Sequence, residues 1–218
     1  MKALGTFTTR NLAMAALLLA AAGCGTTAGY KQADKTGERI NTFRNDVAQV
    51  KGAVEGSLKA LSALEAAAST DPRKAYEDYA KSVDKVEAAS ETAKKNAEKM
   101  QAQGVAYFKE WETQLAGVKN EEIRKLATER RAKLQETFDS IKTATQNTKQ
   151  SFPPFLSDLK DLRTALGADL TVQGIDAAKG TLQKTKSAGN EVQKHLDTLV
   201  AELNSVVAAI TASRAQAN

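Results

Sequence analysis

From Tyr30 onward the apolar positions of the first segment fall at Ile40, Phe43, Val47, Val50, Val54, Leu58, Leu61 and Leu64, in steps of three and four. That spacing predicts a helix with one narrow, heptad-like stripe, because 3.6 residues per turn return these side chains to a single face. Gly52 and Gly56 have a GxxxG spacing, but Lys51, Glu55 and Lys59 around them exclude a membrane-embedded context. These glycines are expected to permit close helix approach or mild flexibility. Ser69-Thr70-Asp71-Pro72 then ends one helix and starts the next, with Asp71 as N-cap and Pro72 at the first helical position. So short a connection implies an antiparallel neighbour.

The second stripe is the most regular: Tyr76, Tyr79, Val83, Val86, Ser90, Ala93, Ala97, Met100, Gly104, Tyr107, Trp111 and Gln114. Its boundary is predicted at Gly117 as a left-handed terminal residue. Asn120 is the next N-cap, with Glu121 and Glu122 favourable beside the positive end of the helix dipole. Ile123, Leu126, Leu134, Phe138 and Ile141 form a third inward stripe. Phe152-Pro153-Pro154 is expected to interrupt it, since a residue before proline avoids helical angles. A short piece with Phe155, Leu156, Leu159, Leu162 and Leu166 runs from there to Gly167.

Thr171 reads as the last N-cap, with Leu170 and Ile175 at the spacing of a hydrophobic staple. Ile175, Ala178, Leu182, Gly189, Val192, Leu196, Leu199, Leu203, Val206 and Ile210 continue as an unbroken stripe. Each stripe is too narrow to hold a helix alone in water, so mutual burial must order them. The expectation is all-α: an elongated, antiparallel, coiled-coil-like four-helix bundle over residues 30–214, with a disordered tail at 215–218.

Composition agrees. Three prolines in 218 residues and 42% apolar residues, of which many are alanine, favour long helices in close contact over a thick globular core. The formal charge of +5 is a weak field with alternating signs and no interleaved aromatics, which argues against nucleic acid as a partner.

Ahead of the first stripe, Lys2 and Arg10 precede an uncharged run from Leu12 to Gly23 that ends at the chain's one cysteine, Cys24. Twelve residues span about 18 Å as helix against about 30 Å of hydrocarbon, which is signal length and too short for a transmembrane anchor. Ala21, Ala22 and Gly23 before Cys24 resemble the processing site of bacterial lipoproteins, although the leucine common three positions before the cysteine is Ala21 here. Ordinary signal cleavage after Ala22 is the alternative. The resemblance implies a cleavable signal peptide at 1–23 and a lipidated Cys24 behind which residues 24–29 form a flexible tether. Gly25 implies release to the outer membrane, with the bundle facing the periplasm.

Phe108-Lys-Glu-Trp-Glu-Thr-Gln-Leu115, Pro154-Phe-Leu156 with Asp158, Asp161-Leu162-Arg163, and Leu170-Thr-Val-Gln-Gly-Ile175 resemble, in that order, a bacterial envelope family known only as a domain of unknown function. Where that family carries an Asn-rich turn before the last helix, this chain has Gly167-Ala-Asp-Leu170. The resemblance implies a helical, coiled-coil-rich fold and brings no activity, catalytic residue or cofactor.

The residues themselves specify no chemistry. His195 lies beside the last stripe and has no cysteine near it to share a metal, so it reads as a surface residue. Glu110 and Glu112 flank Trp111 two residues apart, on different helix faces, and cannot converge as an acid and base pair unless another helix contributes. Tyr107, Phe108 and Trp111 are either core packing near the bundle end or an exposed partner-docking patch. Arg130 and Arg131, with Lys125 and Lys133, are a solvated face or a contact for anionic lipid or polymer. No catalytic, metal or cofactor residue is expected. The functional expectation is a non-enzymatic scaffold lipoprotein, joined to the membrane through Cys24 and to an envelope protein or to itself. The alternative is a lipid-handling bundle that opens like an exchangeable apolipoprotein.

Overall fold

A computed structural model describes residues 26–215 and the side chains of 31–210. The expected signal segment at 1–23, with Ala21, Ala22 and Gly23, the expected lipidation site Cys24, Gly25 and the last three residues lie outside them. Four helices make up the described residues: α1 Thr26–Ala66, α2 Arg73–Ala116, α3 Glu121–Ala168 and α4 Val172–Ala215. They stand up, down, up and down, each against its neighbours in a ring. α1 packs on α2 and α4, α3 packs on the same two, and the diagonal pairs stay apart. This is the predicted four-helix bundle. Its densest seam is α1 with α2 and its sparsest is α2 with α3.

The stripes supply the core. Ile40, Val54, Leu61, Leu64, Tyr79, Val83, Val86, Phe155, Leu159, Ile175, Leu182, Val192, Leu203 and Val206 have no exposed surface. At about 1.5–3 kcal/mol for each fully buried large apolar side chain, this burial is what holds together helices that would be marginal alone. Three expected core positions are not core. Leu126 is 50% exposed, Ile123 is half-buried, and Gln114 is exposed and donates to Glu110 at 2.9 Å.

The helix boundaries follow their capping chemistry. At the start of α2 the expected assignment moves by one: Pro72 (φ −77°, ψ −9°) is the N-cap residue, with no side-chain cap, and Arg73 is the first helical residue, while Asp71 Oδ1 still accepts the Arg73 N–H at 3.2 Å. Asn120 Oδ1 accepts from Ile123 N at 3.1 Å, and Thr171 Oγ1 from Gly174 N at 3.1 Å. Gly117 departs from expectation. At φ −82° and ψ −9° it is right-handed, and α2 ends instead by tightening, with Gly117 N donating to Gln114 O and Val118 N to Leu115 O. α1 begins at Thr26, so Thr26–Gly29, expected in the tether, are its first turn.

α3 also corrects the expected break, because it runs straight through Pro153 and Pro154. Two prolines remove two backbone donors and crowd the preceding turn. The acceptors left over belong to Lys149 and Gln150, which are exposed to water. Burial fixes the helix on both sides, through Ile141 and Ala144 before the prolines and Phe155, Leu159 and Leu162 after them. Tertiary packing outweighs the local preference.

Glycines mark close approach, at other places than the GxxxG pair. A Cβ on Gly52 or Gly56 would meet nothing within 4 Å, so neither serves helix contact. On Gly189 it would lie 2.7 Å from Leu58 Cδ2 and 2.9 Å from Phe155 Cε2. On Gly167 it would lie 2.3 Å from the Tyr76 hydroxyl oxygen, so that glycine is needed for what lies over it.

Candidate functional site

One end of the rod is the α2–α3 hairpin tip, Gly117–Asn120 with the turns that flank it. Antiparallel pairing sets its neighbours. Gln103 Nε2 donates to Thr36 Oγ1 at 3.4 Å, so moving ten residues along each helix, about 15 Å, puts Thr26 level with Thr113. The start of α1, the end of α4 and the hairpin tip therefore share one end. The other end, the far cap, holds the α1–α2 and α3–α4 turns.

The tip is built around an aromatic chain. Tyr107 meets Phe108 at 5.4 Å and Trp111 at 5.6 Å between ring centroids. Phe108 meets Phe138 of α3 at 5.1 Å, near perpendicular. These are edge-to-face pairs, which align the positive edge of one ring with the negative face of the next. Gly104 leaves room for Phe138, whose Cε1 would lie 3.0 Å from an added Cβ. Arg131 Cζ sits 5.6 Å from the Phe108 centroid and its Nη2 is 3.5 Å from Glu112. Of the three aromatics expected as partner contacts, Phe108 is buried. Tyr107 and Trp111 are half-buried and keep an edge toward solvent. Burial raises the Tyr107 hydroxyl pKa, with the nearby Arg130 charge partly offsetting it.

The side-chain contacts of the far cap join helices directly. Tyr79 donates to the Leu159 carbonyl at 2.7 Å and Tyr76 to the Arg163 carbonyl at 2.9 Å. Lys160 pairs with Glu87 and Arg163 with Asp84. Burial pushes the Tyr79 pKa well above its ordinary value, against a smaller lowering by Arg163. Between Glu87 and Lys99, by contrast, α2 presents the small residues Ala89, Ser90, Ala93 and Ala97 to the bundle, before the buried Met100.

Two polar contacts escaped the sequence reading. Asn96 Nδ2 donates to the buried Asp46 Oδ2 at 2.7 Å. His195, expected at the surface, is partly covered. Its Nδ1 is 2.9 Å from Ser151 Oγ, and its Nε2 is 3.8 Å from Glu191 Oε1. A serine, a histidine and a carboxylate in a row invite comparison with a nucleophilic triad, but the hydrogen bonding is different. Ser151 Oγ also lies 3.2 Å from the Asn147 carbonyl. The Ser151 hydroxyl thus has a helix carbonyl as well as the ring nitrogen within hydrogen-bond reach. Backbone N–H groups in a helix interior are committed to carbonyls, and Pro153 and Pro154 have none, so this turn offers no oxyanion donors. The arrangement is suited to holding α3 against α4 beside the prolines.

Among the described residues no cluster of three His, Cys, Asp or Glu side chains could hold a metal ion. No described helix is long and apolar enough to cross a membrane. The fold and its contacts define a class: an elongated antiparallel helical bundle, held by lengthwise packing and capped by tyrosine bonds at one end and an aromatic chain at the other. Residues 24–212 match the family Protein of unknown function (DUF2959), and the chain belongs to it. No curated protein and no solved structure matches the chain.

Proposed function

We propose that the protein is a lipid-anchored component of the bacterial cell envelope. In this reading it is a non-enzymatic scaffold, fixed through Cys24 to the outer membrane, facing the periplasm and offering its rod to an envelope protein or a second copy of itself. The observation that carries the reading is the junction at the amino end. An uncharged run of signal length stops at the chain's one cysteine, and two residues later a helix begins that continues into the bundle. A multiply acylated cysteine there would bind membrane stably, whereas one chain alone would not. Most of the contacts described above are spent on joining helices, which supports a role in holding things at a distance.

Mass spectrometry of the amino-terminal peptide tests the anchor. The expected result is an acylated Cys24 as the first residue, with Cys24→Ser losing membrane association on fractionation. An unmodified end, or one beginning at Gly23, would overturn it. Crosslinking in cells tests the scaffold, with a discrete partner or a homo-oligomer expected and a monomer without adducts counting against it.

The thin α2–α3 seam favours a second reading, in which the bundle parts along that seam and handles lipid. Flotation of mature Cys24→Ser protein with phosphatidylcholine vesicles separates the two, since a scaffold stays in the dense fraction.

A further inference from the structure

Side-chain charge is distributed unevenly along the rod. At the tip end, residues 26–40 carry a net +1 and residues 105–133 a net +2. At the far cap, residues 55–70, 71–90 and 152–170 each carry −1 and residues 171–187 carry +2. The belt between sums to zero. The positive excess of the mature chain therefore sits where the chain leads back toward Cys24.

The two ends also use their cations differently. At the far cap Lys59, Arg73, Lys74, Lys160, Arg163, Lys179, Lys184 and Lys186 are in ion pairs, and among the described residues only the exposed Lys81 and Lys85 there join none. At the tip, Lys109, Lys119, Lys125 and Lys133 join no ion pair among the described residues, and all four are exposed. Interleaved with them are the half-exposed Leu126 and the half-buried Leu115, Val118 and Ile123. Uncommitted lysines, modest apolar side chains and a Trp at the edge are the composition that lies well in a phospholipid headgroup layer.

Covalent reach fixes where such a layer would be. Cys24 precedes Thr26 by two residues, a span of at most about 7 Å, and Thr26 is level with Thr113 near the tip. A lipid on Cys24 thus brings the bilayer surface within reach of the hairpin. We infer that the α2–α3 tip is a second membrane contact, docking on anionic phospholipid headgroups and setting the angle at which the anchored rod stands. This inference rests on the lipid anchor proposed above.

Trp111 is the chain's one tryptophan, so its fluorescence reports the tip alone. The full-length lipidated protein is reconstituted in phosphatidylcholine vesicles, with or without phosphatidylglycerol, containing a headgroup spin-labelled lipid. Quenching of Trp111 is expected to be about twofold or more stronger with the anionic lipid. That excess should vanish at about 1 M salt, where screening is nearly complete. It should vanish equally in a Lys119→Glu, Lys125→Glu, Lys133→Glu variant that still floats with the vesicles and keeps the wild-type melting temperature. Protein that floats while Trp111 stays unquenched would overturn the tip contact and leave the anchor standing; protein that fails to float would overturn both. Crosslinks from these lysines that land on another protein or a second copy, in place of lipid, would also overturn it.

Discussion

The far cap and the hairpin tip are made from the same kind of helix, yet they hold together in different ways. At the cap, two tyrosines reach across to backbone carbonyls, most basic residues are paired with neighbours, and the core leucines are covered. At the tip the apolar stripe of α3 thins, Leu126 emerges, and the aromatic rings stack along one side. The difference teaches that sealing is local: one end of this bundle is finished as a protein interior, and the other keeps charge and apolar surface in reserve.

The largest test of that contrast is a pair of leucines. Leu159→Ala, at the cap, should cost roughly 2–5 kcal/mol in chemical denaturation, as for a fully buried leucine whose site cannot collapse. Leu126→Ala, at the tip, should stay within about 0.5 kcal/mol. Equal losses would mean that both ends are sealed alike.

The prolines of α3 come next. Replacing the exposed Pro153 and Pro154 by alanine should stabilise the bundle by about 1–3 kcal/mol, because proline costs about 3 kcal/mol in a helix interior and regains part of that by restricting the unfolded chain. A loss of stability would show that the helix bends there to fit its neighbours.

Two glycines then sharpen the comparison. Gly167→Ala drives a methyl into the Tyr76 hydroxyl and should cost about 1–2 kcal/mol. Gly52→Ala, in open space, should gain up to about 1 kcal/mol from helix propensity. Thermal melts of the two variants should move in opposite directions.

The smallest effect is in pH. Tyr79 has a raised pKa in the folded protein, so its contribution is fully present below the ordinary tyrosine value near 10 and is lost as pH climbs from there toward the raised value. Tyr79→Phe should cost about 1 kcal/mol at neutral pH through the missing hydrogen bond. It should also flatten the decline in stability above pH 10. An unchanged alkaline decline would remove Tyr79 as its source.

Much of the fold was legible because periodicity is a property of single helices. The α1 and α4 stripes reappear nearly position for position as the core, and Asn120 and Thr171 cap as their side chains dictate. What escaped depends on neighbours that a linear reading does not supply. Pro153 and Pro154 looked like a break because local preference was all there was to weigh, whereas burial of Phe155 and Leu159 decides the matter. Gly167 marked the end of α3 to within one residue, but not that it is also a seat for Tyr76, ninety-one positions earlier in the chain. The tip was half legible: its aromatic cluster and its basic residues were evident, but not that Phe108 is the buried ring.

Four passes of nearly equal length return the polypeptide to its starting level, so the two short turns of the cap stand alone at the opposite extreme. With α1 alone 41 residues long, that separation is about 60 Å. Anything bound at the cap would therefore stand about that distance from Thr26.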